Sequence, residues 1–164
     1  MRADELRFLL DFDAWAMDRA LATAEQLEDG EFYREAGPGQ VAPRETILHC
    51  LTGMRWWLQR LRGGPAPEPL LEDNYPTVEA VRALWETEHG LLEQYVAQRT
   101  EPELAQVLEQ RRPDRILRSE RWQFIVHLVL HNMQHRSELA QALTFLGHSP
   151  GELGLTAYLQ QRGG

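Results

Sequence analysis

Lysine is absent from this chain: all 17 basic side chains are arginine, set against 25 acidic ones, for a net charge of −8. Nucleic-acid binding needs a basic footprint, and none is present. The one arginine-dense stretch, Arg111 to Arg121, is interleaved with Asp114 and Glu120 and reads as a solvated connector. Cysteine is nearly absent as well. With Cys50 alone, no internal disulfide and no cysteine-based zinc or iron–sulfur site can form. Long apolar runs are missing too. The polar opening Met1-Arg2-Ala3-Asp4-Glu5 leads into amphipathic sequence, with nothing long enough for a signal peptide or a membrane helix. The expectation is a cytoplasmic protein that binds neither membrane nor nucleic acid. No glycine-rich phosphate loop, nucleophile elbow or paired catalytic carboxylate is evident.

What is present is enough apolar sequence, 43% of 164 residues, to fill the core of one domain spanning residues 1–164. Four long stretches carry helical periodicity. The first runs from about Ala3 to Leu27, with Leu6, Leu9, Leu10, Trp15, Met17, Leu21, Ala24 and Leu27 on a broad stripe, and Gly30 beyond it. The second runs from Pro43, a residue suited to a first turn, to Leu61, where Gly63-Gly64-Pro65 closes it. The third runs from a Thr77 cap to about Arg99, and the fourth from a Ser119 cap to Leu146, before Gly147. Pro102 to Glu109 allows a short extra helix, and Arg111 to Arg118 reads as irregular. Leu153, Leu155, Tyr158 and Leu159 offer a tail that can pack back. The expected fold is an all-α four-helix bundle. Its connections, roughly 12–18 residues, are long for a bundle and allow a crossover.

The chemistry lies in the fourth stretch, where His127, His131 and His135 recur every four residues. At about 100° per residue they share one face. Phe124, Glu138 and Ala142 lie on the centre of that face, which therefore looks inward. Imidazoles at i and i+4 sit close enough to share an ion, and zinc prefers four partners. A third ligand must come from another helix. His49, on an otherwise apolar stretch, is the natural candidate, and Gly53, one turn on, leaves space beside it. Spacing alone does not choose between the His127/His131 and His131/His135 pairs. Glu138 can orient an imidazole as an outer acceptor, although a charged residue at a bundle rim is the plainer account. His89, between Glu88 and Gly90, reads as a surface residue. Cys50 points about 100° away from His49 and reads as a buried, inert thiol.

At these residues the sequence resembles the DinB/YfiT family of small metal-dependent bundle proteins. The likeness is carried by four stretches in matching order: Leu10 to Met17; Ile47-Leu48-His49 with Arg55-Trp56-Trp57-Leu58; His127 to Glu138, with its His-x-x-x-His-Arg pattern; and Gly147 to Leu153 with Tyr158-Leu159. By resemblance the metal ligands are His49, His131 and His135, and His127 is a neighbour on the same face. The resemblance also implies zinc or nickel as the cofactor and a homodimer. Resemblance and facing together place Trp15 and Trp57 at the pocket mouth, with core packing as the competing account. The tail departs from the pattern near Gly154, where an acidic residue is usual.

Three neutral imidazoles leave the charge of a divalent ion intact and one position open, as in catalytic sites. Three functions follow. In the first, a low-molecular-weight thiol is activated on the metal and transferred to an electrophilic small molecule. This transferase reading is favoured because no general acid or base accompanies the histidines. The second is hydrolysis by activated water. The third is non-enzymatic: metal or ligand binding linked to stress. No catalytic residue beyond the ligands is assigned.

Overall fold

In a computed structural model, which describes residues 1–28, 30–111 and 115–163, the chain is predominantly helical. Four long helices, α1 (Ala3–Ala24), α2 (Pro43–Leu61), α3 (Val78–Ala97) and α5 (Arg121–Phe145), form the bundle. A single-turn helix α4 (Glu101–Leu104), a two-stranded hairpin of β1 (Val107–Arg111) and β2 (Ile116–Glu120), and a tail helix α6 (Leu155–Gly163) complete it. None of the described helices is long and apolar enough to cross a membrane.

The ends of the helices follow from local chemistry. Pro43 occupies the first turn of α2, where its missing N–H costs nothing. Gly63 takes a left-handed conformation (φ 75°). The N–H groups of Gly63 and Gly64 then bond back to the carbonyls of Arg60 and Gln59, closing the helix. Gly147 (φ 94°) ends α5 in the same way, with His148 N–H donating to the Leu143 carbonyl at 2.9 Å. The Thr77 hydroxyl accepts from Ala80 N–H and caps α3.

Helices α1 and α2 each pack against both α3 and α5, so α1 lies across the bundle from α2, and α3 from α5, while α2 and α3 are neighbours. Crossing the bundle requires the long connections at residues 25–42 and 98–120. The core between the helices is built from such residues as Leu6, Leu10, Met17, Leu21, Ile47, Leu51, Met54, Trp85, Leu92, Ile125 and Leu128, all essentially inaccessible.

Three expectations change. The segment read as irregular, Arg111 to Arg118, contributes residues 111 and 116–118 to a hairpin, in which Glu109 faces Arg118 and pairs with it at 3.0 Å; residues 112–114 lie outside the described residues. Helix α4 is one turn, and Val107 already belongs to a strand. Ser119 lies in β2, and the cap position of α5 is Glu120, whose N–H donates to Gln123 Oε1 at 2.8 Å. In the tail, Tyr158 is buried against Phe8, Phe12 and Trp15, while Leu155 and Leu159 stay exposed.

Candidate metal centre

Helices α2 and α5 run antiparallel along a seam whose facing pairs can be read in sequence. His49 meets His135, with ring centroids 4.3 Å apart; Gly53 meets His131; Trp57 meets Phe124 and His127 at 5.0 and 5.1 Å. The rings of His131 and His135 lie 4.5 Å apart, and those of His49 and His131 5.2 Å. One nitrogen from each of His49, His131 and His135 falls within 4.8 Å of the others, close enough for side-chain rotation to bring all three onto one ion. The fourth histidine, His127, remains at 6.2 Å from His131 with its ring against Trp57.

The triad sits at the rim of the seam rather than inside the bundle. Of its members, His131 and His135 are half-buried and His49 is exposed. The supposed inward face of α5 grades from the buried Phe124 and Ala142 out to the exposed His127 and Glu138.

The donors fit a divalent ion. His131 Nδ1 is buried without a hydrogen-bond partner among the described residues, and an unsatisfied buried nitrogen is costly. Burial, with the neighbouring His135, His49 and His127, pushes the His131 imidazole down to about 4. Burial and His135 also lower His49, against an opposing pull from Glu138. Both rings are therefore neutral, the ligating form, at ordinary pH. Glu138 Oε2 lies 2.7 Å from His135 Nδ1. A carboxylate there would hold the proton on Nδ1 and leave Nε2 free to ligate an ion.

A Cβ added at Gly53 would stand 2.9 Å from His131 Cε1, inside normal contact. Gly53→Ala is accordingly expected to turn the His131 ring away. It should weaken metal affinity about tenfold or more, as loss of an outer orienting partner does, while the bundle stays folded. Calorimetric titration with zinc against circular dichroism separates the two effects.

The depressed His131 also fixes a pH dependence. Between about pH 6.5 and 4 the unfolded chain takes up a proton at this position and the folded chain does not, so stability rises with pH across that window. The contribution is present above pH 6.5 and is lost on acidification toward 4. Urea midpoints of metal-free protein should fall over this range, and less so in His131→Ala.

Other sequence expectations resolve by position. Trp57 is buried in the seam and walls the triad at the Phe124 end. Trp15 packs instead on Tyr158 at 5.4 Å and donates to Gln161 Oε1 at 2.7 Å, joining α1 to the tail. His89 is buried rather than at the surface, beside Trp85. Cys50 is buried, and its thiol is pushed up to about 12, first by burial and then by Asp13, so it is no nucleophile.

A second group escaped the sequence. Asp13, fully buried on α1, accepts from Asn132 Nδ2 at 2.7 Å and from Arg136 Nη1 at 2.6 Å. Asn132 and Arg136 each follow a triad histidine on α5. The signal was a carboxylate at position 13 within the apolar stripe of α1, between Leu10 and Met17.

Three comparisons bear on this arrangement. A profile of the DinB superfamily matches residues 14–139. Among solved structures, one described as the conserved protein of locus from Enterococcus faecalis aligns with a TM-score of 0.66 at 13% identity, covering 89% of this chain and 98% of that one; the likeness extends to the fold. No curated protein matches.

Proposed function

The chain belongs to the DinB superfamily, and on that premise we propose that it is a metal-dependent S-transferase: His49, His131 and His135 hold one divalent ion, zinc or nickel, and the substrate is a low-molecular-weight thiol. The observation that carries this reading is the convergence of three imidazoles from two helices, with an open pocket beside them. A divalent ion held by three neutral ligands would supply Lewis acidity toward a sulfur or oxygen donor.

The chain's own residues do the rest. Glu138 orients His135, Gly53 makes room for His131, and Trp57 closes one end of the seam to water. The pocket, of 340 Å³, is lined by Val41, Glu45, Thr46, His49, His135 and Glu138 and suits a small molecule. In the transfer, the thiol gives its proton to solvent and its sulfur bonds to the electrophile. The leaving group departs with the electrons of the broken bond.

Protein purified without added metal or a metal-affinity tag is expected to contain close to one zinc or nickel per chain. With a model electrophile it should turn over only when a thiol is supplied, and His131→Ala should abolish turnover. Turnover without thiol would replace this reading with hydrolysis. Metal-free protein with unchanged melting on chelation would remove both readings in favour of a non-enzymatic role.

A further inference from the structure

The pocket beside the triad is one-sided in charge. Glu45 lies one turn before His49 on α2, and Glu138 one turn after His135 on α5. Because the helices are antiparallel, both carboxylates flank the same end of the seam, opposite the Trp57 end. Both line the pocket, and no arginine does among the described residues. The two arginines nearest in sequence are committed elsewhere. Arg44 pairs with Glu72 at 2.9 Å and lies over the Tyr33 ring, and Arg136 is buried on Asp13. Glu45 itself is exposed, with no hydrogen bond or ion pair among the described residues. Glu138 is exposed as well, with Oε2 2.7 Å from His135 Nδ1.

From this we infer that the occupant is a small molecule bearing both an electron-rich donor atom and an ammonium or guanidinium group, an aminothiol rather than an acidic thiol. The inference rests on the metal reading proposed above and assigns Glu45 and Glu138 as the groups that select charge. The ion attracts the donor end. The carboxylates attract a cation and repel an anion, as clefts lined by one sign of charge do. Exposed carboxylates act through water, so each contributes about a fivefold preference at low salt, and the preference fades as salt screens it.

The test uses the full chain loaded with Co(II), whose visible bands report ligand binding. Three thiol probes of similar size, 2-aminoethanethiol, 2-mercaptoethanol and mercaptoacetate, are compared as thiolate affinities, each corrected for its own thiol pKa. Glycine hydroxamate against acetohydroxamate gives a second, sulfur-free comparison of cation with neutral. The expected order is cation, neutral, anion, with about fivefold or more between the first two. Glu45→Gln should reduce the cation's advantage and leave the neutral probes unmoved, an effect that a general loosening of the site cannot produce. Equal affinities, a preference for the anion, or a Glu45→Gln variant that weakens every probe alike would overturn the charge selection. Failure of Co(II) to bind, visible before any probe is added, would overturn the metal reading and this inference with it. Binding of the hydroxamates in the expected order with no response to thiols would uphold charge selection and remove the thiol assignment alone. No response to any probe would overturn the inference.

Discussion

Asp13→Ala is expected to cost about 3–5 kcal/mol of folding stability, the largest single loss available outside the apolar core. The Asp13 carboxylate and the Arg136 guanidinium are 0% and 1% exposed and 2.6 Å apart, and Asn132 Nδ2 fills the second carboxylate oxygen. Removing the acid strands a cation and an amide in a fully buried site. The pair itself is not a large net source of stability, because desolvating two charges offsets most of their attraction. The cost of the variant is the charge left behind. Two measurements separate these statements. Thermal melting of Asp13→Ala should fall by about 6–20 °C for a chain of this size. Replacing both partners with apolar residues, Asp13→Leu with Arg136→Met, should recover a substantial part of that loss. A shift of less than about 1 kcal/mol in the single variant would show that Arg136 finds another partner.

The same network bears on the candidate metal centre. Asn132 and Arg136 follow His131 and His135 directly, and both are anchored to a carboxylate on α1. With their side chains held toward α1, the adjacent histidines are turned toward α2. The double apolar variant should therefore regain stability more completely than metal affinity.

The sequence revealed elements where punctuation marked them. Pro43 and the Gly63-Gly64-Pro65 run give both ends of α2 because proline and left-handed glycine act locally. The first helix was read three residues too long, since Leu27 still packs on the core after the helix has ended at Ala24; apolar periodicity records burial, not hydrogen bonding. The hairpin was not legible because it lies on the surface. Val107, Ile116 and Leu117 are exposed while Gln110 is buried, so burial and polarity do not alternate together along the strands. His89 was misplaced because its flanking residues, Glu88 and Gly90, say nothing of what α3 packs against.

For the site, the four-residue spacing on α5 gave the face but neither its depth nor its partner. Both depend on how α2 slides along α5, a tertiary quantity. The register sets Trp57 opposite His127 and His49 opposite His135. That leaves His127 facing an indole, and it explains why spacing could not choose between the two histidine pairs. Asp13 was readable in principle, since a carboxylate on a core-facing stripe requires a buried partner, but nothing in one sequence says that the partner is Arg136.

His131→Ala should lower metal affinity by at least about 100-fold, beyond the range seen when only an outer partner of a ligand is lost. Among the three rings His131 is the one against Gly53, with a buried nitrogen that has no hydrogen-bond partner among the described residues. Its depressed pKa means that protons compete weakly for this one ligand until about pH 4. The alanine variant discards a buried polar group that lacks a partner, so the metal-free protein should lose little stability, in contrast to Asp13→Ala. The informative control is the pair of flanking variants. His135→Ala should abolish binding nearly as fully as His131→Ala, because its ring lies 4.3 Å from His49, and His127→Ala should leave a site of undiminished stoichiometry. If His127→Ala abolished binding while His135→Ala spared it, the ion would have to sit one turn further along α5, against Trp57. Zinc titrations of the three variants, read beside their melting curves, decide between the two registers.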